Sequence, residues 1–293
     1  RMFNNVSEDN ILIGNGAAEL INTLKYIVGG KIGLTIPSFN EYVRCFPNSE
    51  ILYINSKDDN YYLSFNRIAN KLDEVDTMII ISPDNPTGSH LKYEEVIKLL
   101  DLAKQKNKQI IFDESFIDFA DNNYTLIDDE ILNKYSNLVV IKSISKSYGV
   151  PGLRLGVLAS GNKDYIKIIN NNLPVWNINS FAEYFLQIIN IYKKDYILGC
   201  KNIKEERTRF YKELSMIKEI YVYSSEANYF MIKLNKGTSN ELAEYLLDNN
   251  KILIKVLNGK NGFDDNEYIR IAIKSSEENN YLIDCIKEYY DKM

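Results

Sequence analysis

Through the first half of the chain, apolar residues come in short unbroken runs rather than in alternation. Residues 32–36 (IGLTI), 77–81 (TMIII), 109–112 (QIIF), 138–141 (LVVI) and 155–159 (LGVLA) present almost no polar face. Runs of that length predict strands buried on both faces of a parallel sheet. Between them the pattern turns helical, most clearly at 93–106, with shorter helices expected at about 17–28, up to 46 and at 65–72. Further strands are expected at 10–13 and 51–55. Strand alternating with helix in this way predicts an α/β fold, a doubly wound and mostly parallel sheet with crossover helices.

From residue 179 the rhythm changes. Long helical patterns run to about 196 and from 198 to about 217, followed by strands at 220–223, 229–234, 252–254 and 268–273 and by helices at 238–249 and at the C-terminus. This half predicts a small C-terminal α+β domain (199–293) docked on the large domain (1–198) through a long helix. No internal repeat or low-complexity linker interrupts the chain, and the segment 258–266 is the clear candidate for a flexible loop.

Composition narrows the function without naming it. A hydrophobic fraction of 45% with 26% charged residues is ordinary for a globular protein of 293 residues. The formal net charge of -5 and dispersed basic residues give no reason to expect a nucleic-acid partner. No run approaches a membrane span and no signal pattern opens the sequence, so no membrane partner is expected. Cys45, Cys200 and Cys285 form an odd, scattered set without metal or redox spacing, which suggests buried fillers in a reducing, cytoplasmic setting. His90, among turn residues and without a partner at metal-ligand spacing, reads as a solvated loop histidine.

The candidate chemistry gathers at the ends of the predicted strands. The run 138–141 ends in Ser143-Ile144-Ser145-Lys146, then glycines, a proline and Arg154. Lysine condenses with an aldehyde when its surroundings depress its pKa, and a guanidinium grips phosphate through a fork of donors. For Ser-Lys alone an ordinary solvated turn would be the safer assignment; other strand ends supply the rest of a site. Gly16 and Ala17 open a helix whose amides could meet a phosphate or serve plain capping. Phe39 and Tyr42 follow one strand and could cover a flat ring, although such aromatics are more often core. Asn85 lies in a proline-rigidified loop, and Asp113 follows a central strand where open α/β sheets bind ligands.

The runs NGAAELI (15–21), SPDNPTG (82–88), FDESFIDF (112–119), SISKSYGVPGLRLG (143–156) and NEYIRIAI (266–273) resemble, in order and spacing, the motifs of the pyridoxal-phosphate-dependent class I/II aminotransferase family, fold type I. The likeness covers nearly the whole chain and is greatest to the branch of histidinol-phosphate aminotransferase and threonine-phosphate decarboxylase. FDESFIDF, VPGLRLG and Pro174-Val175-Trp176-Asn177 lean toward the decarboxylase side.

The resemblance implies pyridoxal 5'-phosphate bound through its aldehyde to Lys146, with Asp113 on the pyridine nitrogen and Asn85 on the ring hydroxyl. It implies Phe39 stacked on the ring with Tyr42 beside it, and Phe116 near the ring hydroxyl where many relatives have a tyrosine. Gly16, Ala17, Ser143, Ser145 and Arg154 would hold the cofactor phosphate. Arg270 would grip the substrate carboxylate, Asn177 would line the same pocket, and Lys255 stands where phosphate-binding relatives carry arginine. The family's N-terminal arm has no counterpart before the first motif, which suggests a truncated chain or the C-terminal part of a bifunctional protein such as a nucleotidyltransferase fusion.

A homodimer follows from the family. The resemblance favours a transaminase acting on a small amino acid or phosphorylated amine, with decarboxylation on the same scaffold as its rival. A binding or regulatory module that keeps the fold without turnover is the non-enzyme alternative. A nicotinamide domain is disfavoured by the lack of a glycine fingerprint.

Overall fold

The unbroken apolar runs become the centre of a seven-stranded sheet. In the computed structural model, which describes residues 5–293, this sheet contains β1 (Ile11–Asn15), β2 (Ile32–Ile36), β3 (Ile51–Asn55), β4 (Thr77–Ile81), β5 (Gln109–Asp113), β6 (Leu138–Ser143) and β7 (Leu155–Ala159). Their order is β1-β7-β6-β5-β4-β2-β3. Strands β2 to β6 pair in parallel, and β7 runs antiparallel to both β6 and β1.

Why these strands lack a polar face is visible in the two cores. The two-residue period sends Met78, Ile80, Ile110, Phe112, Leu138 and Val140 to one side and Ile79, Ile81, Ile111, Val139 and Ile141 to the other. Helix Tyr93–Gln105 covers the first side with Val96, Leu99, Leu100 and Ala103. The opposite side is covered by Ala17–Thr23, Asn40–Cys45 and Lys163–Asn172. Each large side chain buried this way stabilises the fold by about 1.5–3 kcal/mol. The expected doubly wound, mostly parallel sheet is therefore what forms.

A second, antiparallel sheet holds β8 (Ile220–Val222), β9 (Tyr229–Leu234), β10 (Lys255–Val256) and β11 (Tyr268–Ala272) in the order β10-β11-β9-β8. Helices Lys193–Leu214, Ser239–Asn250 and Ser276–Asp291 share its core, in which Phe210, Phe230, Leu242, Ile269 and Ile286 are buried.

Several expected boundaries move for local reasons. The strand expected at 252–254 is instead β10, because Lys251 turns left-handed (φ 59°) and the Ile252 amide returns to the Leu246 carbonyl (3.0 Å) to close the preceding helix. The helix expected to reach 28 stops at Thr23 and tightens into a 3-10 turn, Leu24–Tyr26. The helical break expected near 197 falls at the 3-10 turn Ile189–Tyr192. The segment 258–266 does not stand free: Gly262 (φ 98°) lies so close to β2 that a Cβ there would be 2.7 Å from the Pro37 nitrogen.

The expectation of buried cysteines holds, and that of a solvated histidine does not. All three cysteines are free and buried. His90 is not solvated: it is half-buried, stacked on Tyr124 (5.4 Å between centroids) and bonded through Nδ1 to Ser82 Oγ at 3.0 Å. Burial lowers its pKa to about 4. Among the described residues no helix is long and apolar enough to cross a membrane.

The two sheets are tied together beside the strand ends. The Glu226 amide donates to the Gly88 carbonyl (2.8 Å), and Arg207, buried, reaches the Phe119 carbonyl (2.6 Å) and the Asp121 carboxylate (2.6 Å).

Candidate active site

The carboxyl ends of β2, β4, β5 and β6 converge, and each delivers part of one constellation. Asp113 is the last residue of β5 and is buried. Its Oδ1 accepts from the Ser115 amide (2.9 Å) and its Oδ2 from the Tyr42 hydroxyl (2.7 Å). Burial pushes this carboxyl above the usual range, while Ser115, Tyr42 and the charge of Lys146 hold it down. Tyr42, expected beside Phe39 over a flat ring, is fully buried and supports Asp113 from within the core. Phe39, just before helix Asn40–Cys45, stays half-exposed at the end of β2.

Lys146 sits in the single helical turn Ile144–Ser147 that follows β6. Burial, then the charges of Arg270 and Arg154, hold its amine below the usual lysine range; Asp113 opposes them. That is the environment an amine needs if it is to act as a nucleophile or base near neutral pH. Its Nζ lies 5.9 Å from the centre of the Phe116 ring. Phe116 meets Tyr229 edge to face (5.1 Å), and the Arg270 guanidinium lies 5.0 Å from the Tyr229 ring. Arg270 Nη1 donates to Asn85 Oδ1 at 2.5 Å. Lys146, Phe116, Asn85 and Arg270 are thus brought together, with Tyr229 as a link that no motif signalled.

The Arg154 side is built by glycines. Gly16 adopts φ 82°, and a Cβ there would lie 2.6 Å from Arg154 Nη2. A Cβ on Gly156 would lie 2.4 Å from the Ala17 nitrogen, so this glycine lets the first helix press against β7.

Several groups expected at a phosphate already have partners within the fold. The Gly16 amide already donates to the Gly14 carbonyl (2.8 Å). Ser145 Oγ accepts from the Leu155 amide (3.0 Å) and lies 3.3 Å from the Leu155 carbonyl, which makes it a clamp between the lysine turn and β7. The Ser143 amide donates to Ser115 Oγ (2.9 Å). Asn177, expected in the Arg270 pocket, donates its side-chain amide to the Ile13 carbonyl of β1 (2.8 Å) and to the carboxylate of Glu19 in the first turn of the first helix (3.3 Å). Lys255, exposed, pairs directly with Arg270 across β10 and β11.

Residues that the sequence did not single out lie beside these groups. Asp84, inside the SPDNPTG loop, is buried and accepts from Ser38 Oγ (2.8 Å) and Thr87 Oγ1 (3.0 Å), while its carbonyl accepts from the Tyr229 hydroxyl (2.7 Å). Burial raises its carboxyl pKa to about 7. Beneath the site, Lys142 is buried between Asp118 (2.9 Å) and Glu114 (3.5 Å); their charges outweigh burial and raise its pKa.

The donor set fits pyridoxal phosphate. A depressed amine can meet its aldehyde, a buried carboxylate its ring nitrogen, an aromatic its face, and an arginine over a bare glycine its phosphate. The comparisons agree. The sequence model described as "Aminotransferase class I and II" matches residues 2–286, and the chain belongs to that family, a family of pyridoxal-phosphate enzymes.

Three relatives bracket it. The chain is similar to the L-serine phosphate decarboxylase Cj1436c of Campylobacter jejuni, 36% identical over 98% of this chain and 76% of that protein. It is 30% identical to a histidinol-phosphate aminotransferase of Thermoanaerobacter sp., over 95% of this chain and 77% of the other. The crystal structure of the histidinol-phosphate aminotransferase from Clostridium acetobutylicum superposes with a TM-score of 0.87 at 32% identity, covering 98% of this chain and 85% of that one.

Proposed function

We propose that this protein is a pyridoxal-phosphate-dependent decarboxylase of a small L-amino acid that carries a phosphate ester. The observation that carries the substrate class is the pairing of Arg270 with Lys255 across β10 and β11, remote in sequence from the Arg154 corner. Two separate regions of positive charge suit a cofactor phosphate and a substrate with its own second anion. The similarity to the Campylobacter jejuni L-serine phosphate decarboxylase supports the reaction type.

When bound, the cofactor supplies an electron sink for the pair left on Cα when a bond there breaks. The protein's part is to choose and complete that break. Asp113, oriented by Tyr42 and Ser115, favours a proton on the ring nitrogen. Arg270, braced by Asn85, would grip the substrate carboxylate and so decide which Cα bond is presented for cleavage. In decarboxylation the carbon–carbon bond breaks, carbon dioxide leaves, and Lys146 returns a proton to Cα.

Transamination is the second reading, supported by the likeness to the Clostridium acetobutylicum structure. There Lys146 would instead take the Cα proton and deliver it one atom further on. Product analysis with O-phospho-L-serine separates the two. Carbon dioxide with an amine phosphate supports decarboxylation, and a keto acid with an aminated cofactor supports transamination. Borohydride reduction should fix the cofactor on Lys146, and an adduct mapped to another lysine would refute the assignment.

A second copy of the chain is the proposed partner. The segment from 175 to 197 exposes Val175 (82%), Trp176 (94%), Phe181 (79%) and Ile191 (74%), large apolar side chains of the kind that mark a protein–protein contact. Sedimentation of the holoenzyme as a monomer would refute that. The free buried cysteines support a reducing, cytoplasmic location.

A further inference from the structure

We propose that Lys260 is a specificity-determining residue of this site, contacting the second anion of the substrate. The inference deepens the phosphorylated-substrate reading and rests on it. Lys260 lies in the connection between β10 and β11, the same strand pair that carries Lys255 and Arg270.

That connection is pinned against the large sheet at several points. Gly262 abuts the Ile36–Pro37 backbone, where a Cβ would lie 2.7 Å from the Pro37 nitrogen. Phe263 stacks on Tyr268 (4.5 Å) and tilts against Tyr61 (5.3 Å), and Asp264 pairs with Lys57 at 3.2 Å. So held, Lys260 Nζ donates to Asn40 Oδ1 (2.6 Å), one residue past Phe39.

The charge of Lys260 is unmatched at that position. Its hydrogen-bond partner is a neutral amide, and among the described residues it forms no ion pair within 4.0 Å. The carboxylate whose charge acts on it, Asp84, is already held by Ser38 and Thr87. Burial and the repulsion of Arg270 and Lys255 lower the lysine pKa to about 8, which places all three cations in one field. Two partly buried cations, Lys260 and Arg270, with the exposed Lys255 beside them and too little counter-charge, are what an anion-binding site looks like before its ligand arrives. Arg270 suffices for one carboxylate; Lys260 with Lys255 leaves charge for a phosphate ester.

The rival explanation is structural: Lys260 would serve only to balance Asp84. Substrate discrimination separates the two. In the holoenzyme, binding of O-phospho-L-serine and O-phospho-L-threonine, and of L-serine and L-threonine, is followed by the change in cofactor absorbance. For Lys260→Met, affinity for the phosphorylated pair should fall by about tenfold or more while affinity for the unphosphorylated pair moves less than about twofold. Lys260→Arg should retain most of the preference, and it tests the charge should the methionine variant fail to fold. An equal loss for both pairs, or no change for either, overturns the role of Lys260 while the wild-type preference for phosphorylated ligands leaves the broader reading intact. A wild-type enzyme with no such preference overturns both.

Discussion

The hydroxyl of Tyr42 donates to Oδ2 of Asp113 at 2.7 Å, with both groups buried. This bond joins the helix after β2 to the end of β5 and, with the Ser115 amide on Oδ1, fixes the plane of the carboxylate. A hydrogen bond to a charged group contributes about 1.5–3 kcal/mol. Tyr42→Phe should therefore keep the fold but weaken cofactor binding, read by titrating the apoprotein with pyridoxal phosphate. Because Tyr42 lowers the Asp113 pKa, its loss should also move the acid limb of the pH–activity profile to higher pH. An unchanged profile would show that the bond does not tune the carboxylate.

Gly16 presents a backbone prediction. Its φ of 82° with ψ of 162° lies in a region essentially closed to L side chains, and a Cβ would press on Arg154 Nη2 at 2.6 Å. Such strain costs about 1–3 kcal/mol. Gly16→Ala should lower the melting temperature and, by displacing the guanidinium, raise the dissociation constant of pyridoxal phosphate about tenfold. Retention of wild-type cofactor affinity would argue that Arg154 does not hold the phosphate.

How far the sequence could be read follows from which contacts are local. The buried strands were legible because a parallel sheet covered on both faces leaves apolar residues at every position, as in 77–81 and 138–141. Lys146, Asp113, Asn85 and Arg270 could be singled out because each stands inside a recognisable run, the first three at or just past the ends of β6, β5 and β4 and Arg270 within β11. What stayed hidden depends on pairs distant in sequence. Nothing near Tyr42 reveals that its hydroxyl meets Asp113, and nothing near Tyr229 reveals that it bridges Phe116 and Arg270. Asn177 and Ser145 read as ligand contacts by position, and their bonds to backbone groups at Ile13 and Leu155 were not visible in the sequence. Lys260 was obscured by its glycine- and asparagine-rich surroundings, which read as a mobile turn until β2 is seen against it.

Arg207 shows what holds the two sheets in register around the site. Its guanidinium gives hydrogen bonds to the carbonyls of Phe119 (2.6 Å) and Ala227 (3.3 Å) and to the carboxylates of Asp121 (2.6 Å) and Glu226 (3.3 Å). Because Asp121 and Glu226 stay partly solvated (61% and 35% exposed), removing the buried guanidinium costs mainly the hydrogen bonds of the Phe119 and Ala227 carbonyls, about 1–3 kcal/mol. Arg207→Met should lower the urea midpoint accordingly, and Arg207→Lys should recover little because a single ammonium cannot span four acceptors. A loss below about 1 kcal/mol would place Arg207 among ordinary surface pairs.

His90 yields a pH dependence whose sign is fixed by burial. Its pKa falls from 6.5 to about 4 because the half-buried ring, stacked on Tyr124, disfavours the charged form; the charge of Arg207 acts in the same direction, and a backbone contact at Asn122 opposes it. Well above pH 6.5 the ring is neutral whether the chain is folded or not, so it adds almost no pH slope there. As pH falls below 6.5 the unfolded chain takes up a proton that the folded chain refuses until about pH 4, and stability is lost across that window. Between pH ~7.5 and pH ~5 this amounts to about 2 kcal/mol. Carboxylates add their own acid sensitivity, but they are common to wild type and variant and cancel in the difference. His90→Gln should therefore be less stable than wild type near neutrality, through the lost ring packing and Ser82 bond, and the gap should narrow by about that amount at the lower pH. Parallel stability curves for the two proteins would show that His90 already titrates normally in the fold.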